Sequence, residues 1–101
     1  AADLGVLLAL ASSVTGVPVP ADSVIIGEVG LSGEVRAVSQ LAARVAEAAA
    51  LGFGRCIVPQ VDLARWRGPK PLLPLDGVET VAAALAVAGL RVDSRPVSIA
   101  Q

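Results

Sequence analysis

The segment around Trp66 holds the densest group of side chains that could bind another molecule. Arg65 and Arg67 flank the tryptophan, and Lys70 follows three residues after Arg67. Arginine beside an exposed aromatic ring suits contacts with phosphates and stacked bases. Trp and Arg are also enriched among the residues that dominate protein interfaces. The pattern therefore fits a solvated loop, a DNA-contacting loop or an anchor for a protein partner.

The other reactive side chains are sparse. Cys56 is the only thiol, and no His is present to activate it, so a small buried hydrophobe is favoured over a redox role. Glu28 and Glu34 flank Ser32-Gly33, but two carboxylates alone are weak evidence for acid–base catalysis. We interpret Glu28 as a solvent-facing strand residue, with a contact at a site or interface as the alternative.

The composition limits the class of protein. The 101 residues are 54% hydrophobic and 17% charged, which excludes an intrinsically disordered chain. Eight basic against nine acidic residues exclude a polybasic nucleic-acid arm, although residues 1–35 carry four acids and no base. One Cys and no His exclude a disulfide framework, a zinc knuckle and His-based catalysis. Because no phosphate-binding glycine loop is present, we expect no cofactor in this segment.

Hydrophobic periodicity predicts an α/β fold whose helices pack on a mixed sheet. The helices are predicted at residues 1–15, 39–51 and 78–88, each followed by a glycine. The first is apolar around most of its circumference, which predicts burial on most sides. Its apolar run is too short to span a membrane. Asp76 and Glu79 resemble a capping box at the start of the third helix.

Strands are predicted at residues 23–31, 34–38 and 55–59. The first two form a hairpin around a two-residue turn at Ser32-Gly33. The order strand, helix, strand predicts a βαβ unit with parallel strands. A short helical turn is predicted at residues 61–66, a short edge strand around residues 72–75, and a C-terminal tail at residues 91–101.

The string GEVGLSGEVRAV at residues 27–38, followed by a helix and by LGFGRCIVPQ at residues 51–60, resembles the RadA family of bacterial DNA repair proteins. The resemblance is to the C-terminal, Lon-protease-like domain of that family. It implies one Lon-like α/β domain over residues 1–90 that lacks the first strands of the family's domain. Their absence would leave one side of the first helix uncovered.

Lon-type proteases use a Ser-Lys dyad, and the resemblance assigns both positions. Laid on this sequence without gaps, the Lon pattern puts the Ser position at Ala1 and the Lys position at Arg44. Alanine has no nucleophile, and an arginine side chain stays protonated and cannot act as a general base. Ala2-Asp3 also stands where the Lon pattern has Ala-Gly. The resemblance therefore implies that this segment is not an enzyme.

For the whole protein, the RadA resemblance implies a hexameric, ATP-driven motor for branch migration on DNA. Sites for ATP, Mg and Zn are then expected only in upstream parts, a RecA-type ATPase and a zinc-finger segment. For this segment it implies a cytoplasmic, non-membrane scaffold that assembles into a ring with its own copies. DNA contact is assigned to the group Arg65, Trp66, Arg67 and Lys70, with a protein partner as the other use.

Two alternatives stay open. The segment could be a Ser-Lys protease domain inactivated by engineering, which would explain Ala1 but neither Arg44 nor Asp3. It could also be a Lon-like regulatory domain of another AAA+ protein.

Overall fold

A computed structural model describes residues 2–89, so Ala1 and the predicted tail at residues 91–101 lie outside the described residues. The elements in chain order are β1 (Ala2–Asp3), α1 (Leu4–Thr15), β2 (Ser23–Ile25), β3 (Glu28–Val29), β4 (Val35–Arg36), α2 (Leu41–Ala50), β5 (Arg55–Pro59), α3 (Gln60–Ala64), β6 (Leu75–Val78) and α4 (Val81–Val87). The predicted α/β class, with a hairpin, a βαβ unit and helices packed on the strands, is confirmed.

A parallel sheet with the strand order β2-β5-β6 carries the core. The central strand β5 is buried from Cys56 to Pro59, and its bounds are those predicted from the sequence. A central parallel strand is covered on both faces, so its sequence is a continuous apolar run rather than an alternating one. A βαβ unit is present, but its first strand is β2, which runs parallel to β5 with Val24 aligned to Cys56. The strand predicted directly before α2, at residues 34–38, contributes β4 to a separate antiparallel sheet instead.

Two hydrophobic clusters lie on the two faces of this sheet, and β5 supplies both because successive side chains point to opposite faces. Ile57 belongs to the first cluster, which it shares with α1, α4 and the hairpin strands. Cys56 and Val58 belong to the second cluster, which they share with α2. The fold is therefore layered, with α1, α4 and the hairpin strands on one side and α2 on the other.

The strand predicted at residues 23–31 is wrong as a single element because the chain changes sheets at Gly27. Ile26 still donates its N–H to a carbonyl of β5 at 2.8 Å, whereas the Gly27 carbonyl accepts the N–H of Leu4 at 2.9 Å. A Cβ at Gly27 would lie 3.2 Å from side-chain atoms of Leu4 and Val35. Glycine lets the first cluster close here, and the chain continues as β3 in a small antiparallel sheet of order β1-β3-β4.

The hairpin between β3 and β4 turns differently from the prediction. Gly33 donates its N–H to the Gly30 carbonyl at 3.1 Å, which centres the turn on Leu31 and Ser32 rather than on Ser32-Gly33. Gly33 follows at φ +80°, the left-handed conformation that closes three-residue hairpin loops. The returning strand is also shorter than predicted, and Leu31 is fully exposed at the tip.

Helix α1 begins at Leu4 because Asp3 caps it, accepting the N–H of Val6 at 3.1 Å. Residues 2–3 pair instead with β3, so the predicted helical start at residue 1 is wrong for them. Leu4 and Leu8 are fully buried. The predicted burial on most sides is also wrong, because the other face meets no covering element among the described residues. That face exposes the apolar side chains Val6, Leu10 and Val14.

The region after β5 departs most from the prediction. The helical turn expected at residues 61–66 is α3, and the expected edge strand is β6, which lies slightly later in the chain. Asp76 sits in β6 and pairs with Arg55 of β5, so the capping box predicted there is wrong. Thr80 caps α4 instead, its hydroxyl accepting the N–H of Ala83 at 3.1 Å.

Candidate functional site

The segment around Trp66 is fixed on the domain by its own tryptophan. The indole Nε1–H donates to the Pro69 carbonyl at 2.9 Å, and the half-buried ring packs against the second cluster. Because the one polar atom of the indole is satisfied inside the loop, its apolar ring can stay against the domain. Arg65, Arg67 and Lys70 are exposed around it, so the predicted residues share one surface.

A cleft of about 250 Å³ lies between this segment and α2, and we call it the Trp66 cleft. The lining of the Trp66 cleft is mainly apolar, with the exposed cations Arg67 and Lys70 among its residues. Its apolar lining includes Ala42, Val45 and Ala46 from α2 and Trp66, Pro71 and Leu72 from the segment. Such a cleft can hold an apolar side chain while its cations contact a neighbouring anionic group.

A second, smaller cleft of about 200 Å³ also borders Trp66, and its lining includes Arg65 and Asp62. The Asp62 carboxylate accepts the N–H of Val38 at 2.9 Å, which ties the segment before α2 to α3. Sequence reasoning missed Asp62. Its position in the first turn of a short helix was the available signal, since a carboxylate is favoured there.

Of the two positions assigned to a lost Ser-Lys dyad, only Arg44 lies among the described residues. Arg44 is exposed on the outer face of α2, beside a shallow cleft of about 200 Å³ that Glu47 and Phe53 also line. Ala1 lies outside the described residues. Arg44 therefore occupies a solvated helix position, and its guanidinium cannot accept a proton.

Cys56 is fully buried in the second cluster, and this confirms its interpretation as a small hydrophobe. Burial raises the pKa of the Cys56 thiol above its ordinary value, because the thiolate would lose its water. The thiolate is the reactive form, so the buried thiol is poorly suited to nucleophilic or redox chemistry.

Glu28 and Glu34 have different surroundings. Glu28 is exposed in β3, as expected for a solvent-facing strand residue, and lies opposite Arg36. The Glu34 carboxylate folds over the turn, accepting the N–H of Ser32 at 3.1 Å and Nε of Arg36 at 3.2 Å. Hydrogen bonding to its own backbone N–H, together with the bonds from Arg36 and Ser32, lowers the pKa of Glu34 against the opposing effect of desolvation. Glu34 therefore braces the hairpin tip.

Arg55 and Asp76 form an ion pair between β5 and β6 that no local sequence pattern indicates. The hydrogen bond to Asp76 is the main cause that raises the pKa of Arg55, and Asp22 adds a smaller contribution. Within residues 2–89, no group of three His, Cys, Asp or Glu side chains is placed to hold a metal ion. Within the same range, no helix has the length and hydropathy that crossing a membrane requires.

Known proteins named DNA repair protein RadA are similar to this chain over most of its length. The protein of that name from Bacillus subtilis is 47% identical over 85 residues, which is 84% of this chain and 18% of that protein. The one from Escherichia coli is 43% identical over 86 residues, or 85% of this chain and 18% of that protein. The resemblance to RadA is confirmed at the level of homology, and this chain spans about 18% of the length of these relatives.

A family match covers the first part of the chain. The family described as subunit ChlI of Mg-chelatase matches residues 1–62, which include α1, the hairpin and the βαβ unit. The matched range is more than half of the 101 residues. This chain therefore belongs to the ChlI family.

Proposed function

We propose that this chain is a non-catalytic, Lon-like scaffold domain of a RadA-type DNA repair ATPase. The observation that carries the proposal is the 42–47% identity to RadA proteins over about 84–86% of the chain. In this role the domain supports assembly of a ring, with a hexamer as the expected state, in the cytoplasm. ATP, Mg and Zn would be bound by other parts of such a protein.

A scaffold role is supported by the chemistry of the described surface. The exposed face of α1 and the Trp66 cleft both offer apolar surface, which favours protein contacts. Arg44 stands at the dyad position that a Lys would need to fill, and it cannot serve as a general base. These features favour a binding role over peptide hydrolysis.

Self-assembly is tested by sedimentation velocity of the purified chain over a concentration series. We expect the sedimentation coefficient to rise with concentration as copies associate. A chain that remains monomeric at the highest concentration would contradict the scaffold role.

DNA contact by the Trp66 segment is the second part of the proposal. Arg65 and Arg67 are exposed beside the aromatic ring, an arrangement suited to phosphates and bases. Anisotropy of a labelled duplex should show affinity that falls with salt, and Arg65→Ala with Arg67→Ala should lower the salt slope by about 2. Arg44→Ala removes an exposed arginine from α2 and serves as the control. Salt-independent binding, or equal effects of all three substitutions on DNA affinity, would contradict a DNA contact at this surface.

The match to the ChlI family favours one alternative, a regulatory domain of another AAA+ protein. The sequence of the complete gene distinguishes a RadA-type scaffold domain from a regulatory domain of another AAA+ protein. A RecA-type ATPase with a four-Cys segment upstream supports the RadA-type assignment, whereas a AAA+ ATPase without that segment supports the alternative.

A further inference from the structure

We propose that the Trp66 cleft receives the tip of the β3–β4 hairpin from a second copy of this chain, with Leu31 as the inserted side chain. This inference rests on the proposed function, because it assigns a surface to the self-assembly of the scaffold.

The hairpin presents Leu31 as a rigid apolar projection. The side chain is fully exposed at the tip of the turn. Gly33 donates to the Gly30 carbonyl at 3.1 Å, and Gly30 donates to the Glu34 carbonyl at 2.9 Å. The Glu34 carboxylate also accepts from Ser32 at 3.1 Å. Because these bonds already order the turn, docking would cost little additional conformational entropy.

The Trp66 cleft suits such a side chain. It offers about 250 Å³ of space with a mainly apolar lining, where α2 contributes Ala42 and Ala46 opposite Trp66. A leucine side chain matches an apolar lining of this kind, whereas a sugar-phosphate backbone would leave that lining unused. The indole beside this space also matches the role of tryptophan as an interface anchor.

The two surfaces have opposite charge. The small antiparallel sheet and the turn after β6 carry four carboxylates and one cation, namely Asp3, Glu28, Glu34, Glu79 and Arg36. The segment around the cleft carries three cations and one carboxylate, namely Arg65, Arg67, Lys70 and Asp62. Complementary potentials of this kind steer association and fix the orientation of docking.

The positions of the two surfaces require different copies of the chain. The hairpin strands contribute Val29 and Val35 to the first cluster, whereas Trp66 packs on the second cluster across the parallel sheet. Leu31 at the tip is fully exposed, so it does not occupy the cleft of its own copy. Each copy can therefore donate one tip and accept another, and repetition of this heterologous contact builds a ring or an open filament.

Two complementary variants test the contact. Leu31→Lys removes the apolar side chain of the tip and leaves the cleft unchanged. The double variant Arg67→Glu with Lys70→Glu reverses the charge of the cleft and leaves the tip unchanged. Loss of one buried leucine predicts roughly a 10- to 100-fold weaker self-association in sedimentation velocity for Leu31→Lys. The double variant with the reversed cleft charge should also self-associate more weakly than the wild type. Mixed together, the two variants should form a one-to-one complex through the single intact contact.

Trp66 provides an independent readout because it is the only tryptophan of the chain. Its emission should shift to the blue as wild-type concentration rises, since a docked side chain excludes water from the ring. The shift should be absent in Leu31→Lys alone and return when the reversed-cleft variant is added. Leu51→Lys changes another exposed leucine and should leave both readouts unchanged. Circular dichroism checks that every variant is folded.

Each other outcome overturns the inference in a recognisable way. If the wild type assembles and both variants assemble equally well, the scaffold role stands and this surface is wrong. If the variants fail alone and also fail when mixed, the contact is not heterologous. If duplex DNA shifts the Trp66 emission while Leu31→Lys still assembles, the cleft is a DNA site. A monomeric wild type overturns the scaffold role together with this surface.

Discussion

The backbone N–H of Val38 donates a hydrogen bond to the carboxylate of Asp62 at 2.9 Å, across 24 positions of the chain. The bond is partly buried, and it holds the end of the hairpin segment against α3, directly beside Trp66. A single carboxylate thus joins two walls of the second cleft, which borders Trp66.

Asp62→Ala should lower the free energy of unfolding by about 1–3 kcal/mol, because it leaves a partly buried N–H without its charged acceptor. Urea unfolding followed by circular dichroism measures the change. Asp62→Asn should recover part of the loss, since its amide oxygen can still accept. Glu47→Ala, on the exposed face of α2, is the matched control, and an equal loss there would contradict the role of the Val38 bond.

Thr80→Ala should destabilise the chain by about 0.5–2 kcal/mol through loss of the α4 N-cap. The hydroxyl of Thr80 accepts the N–H of Ala83 and is the side-chain cap of α4 within residues 2–89. Thermal unfolding is the measurement, with Thr80→Ser retaining most of the stability because it keeps the oxygen. If serine and alanine have the same effect, the hydroxyl does not act as a cap.

Stability should fall above neutral pH because of Cys56. Burial raises the thiol pKa, so the folded chain holds its proton to a higher pH than the unfolded chain does. The stabilisation is therefore complete below the unfolded pKa of about 8.5 and is lost as pH rises toward the folded pKa. The chain has no His and no Tyr that would titrate alongside the thiol.

Urea unfolding at a series of pH values tests this prediction. Cys56→Ala should lower stability at every pH, because it empties part of the second cluster, but it should flatten the decline above pH ~8.5. A decline of the same steepness in Cys56→Ala would show that another group causes it.

Glu34 should make the stability of the folded chain fall as the pH is lowered into the acid range. Its pKa is lowered in the folded chain, so its contribution is present above the unfolded pKa of about 4.3 and is lost as pH falls through the folded pKa. Carbon-detected NMR should place the Glu34 midpoint in the native chain below its midpoint in urea. Glu34→Gln should weaken the acid dependence of unfolding, and coincident midpoints in the two states would refute the bracing of the turn.

The local sequence pattern correctly predicted elements whose burial is either uniform along the element or follows the helical period. β5 has the predicted bounds because a central strand is apolar throughout. In α2, Leu41, Val45 and Ala48 form the buried face that the helical period predicts, and Arg44 stays exposed. The Trp66 group was identified by composition alone, since aromatic and basic residues are adjacent in sequence.

The failures lie where distant residues decide the structure. Gly27 breaks the predicted strand because Leu4 and Val35 close around it, and neither is a sequence neighbour. Asp76 matched the spacing of a capping box, but its carboxylate forms an ion pair with Arg55 of the adjacent strand. The Trp66 cleft likewise exists only because α2 packs beside the loop. Each contact depends on packing that no window of the sequence contains.

The alternation of Cys56, Ile57 and Val58 along β5 has a consequence for how the molecule opens. One strand supplies both hydrophobic clusters, so neither face of the sheet can lose its packing without disturbing the other. The two faces should therefore behave as one cooperative unit, and the β5 amides should exchange with deuterium only through global unfolding. Local openings are then confined to segments that contribute to neither cluster, which can open while β5 stays closed.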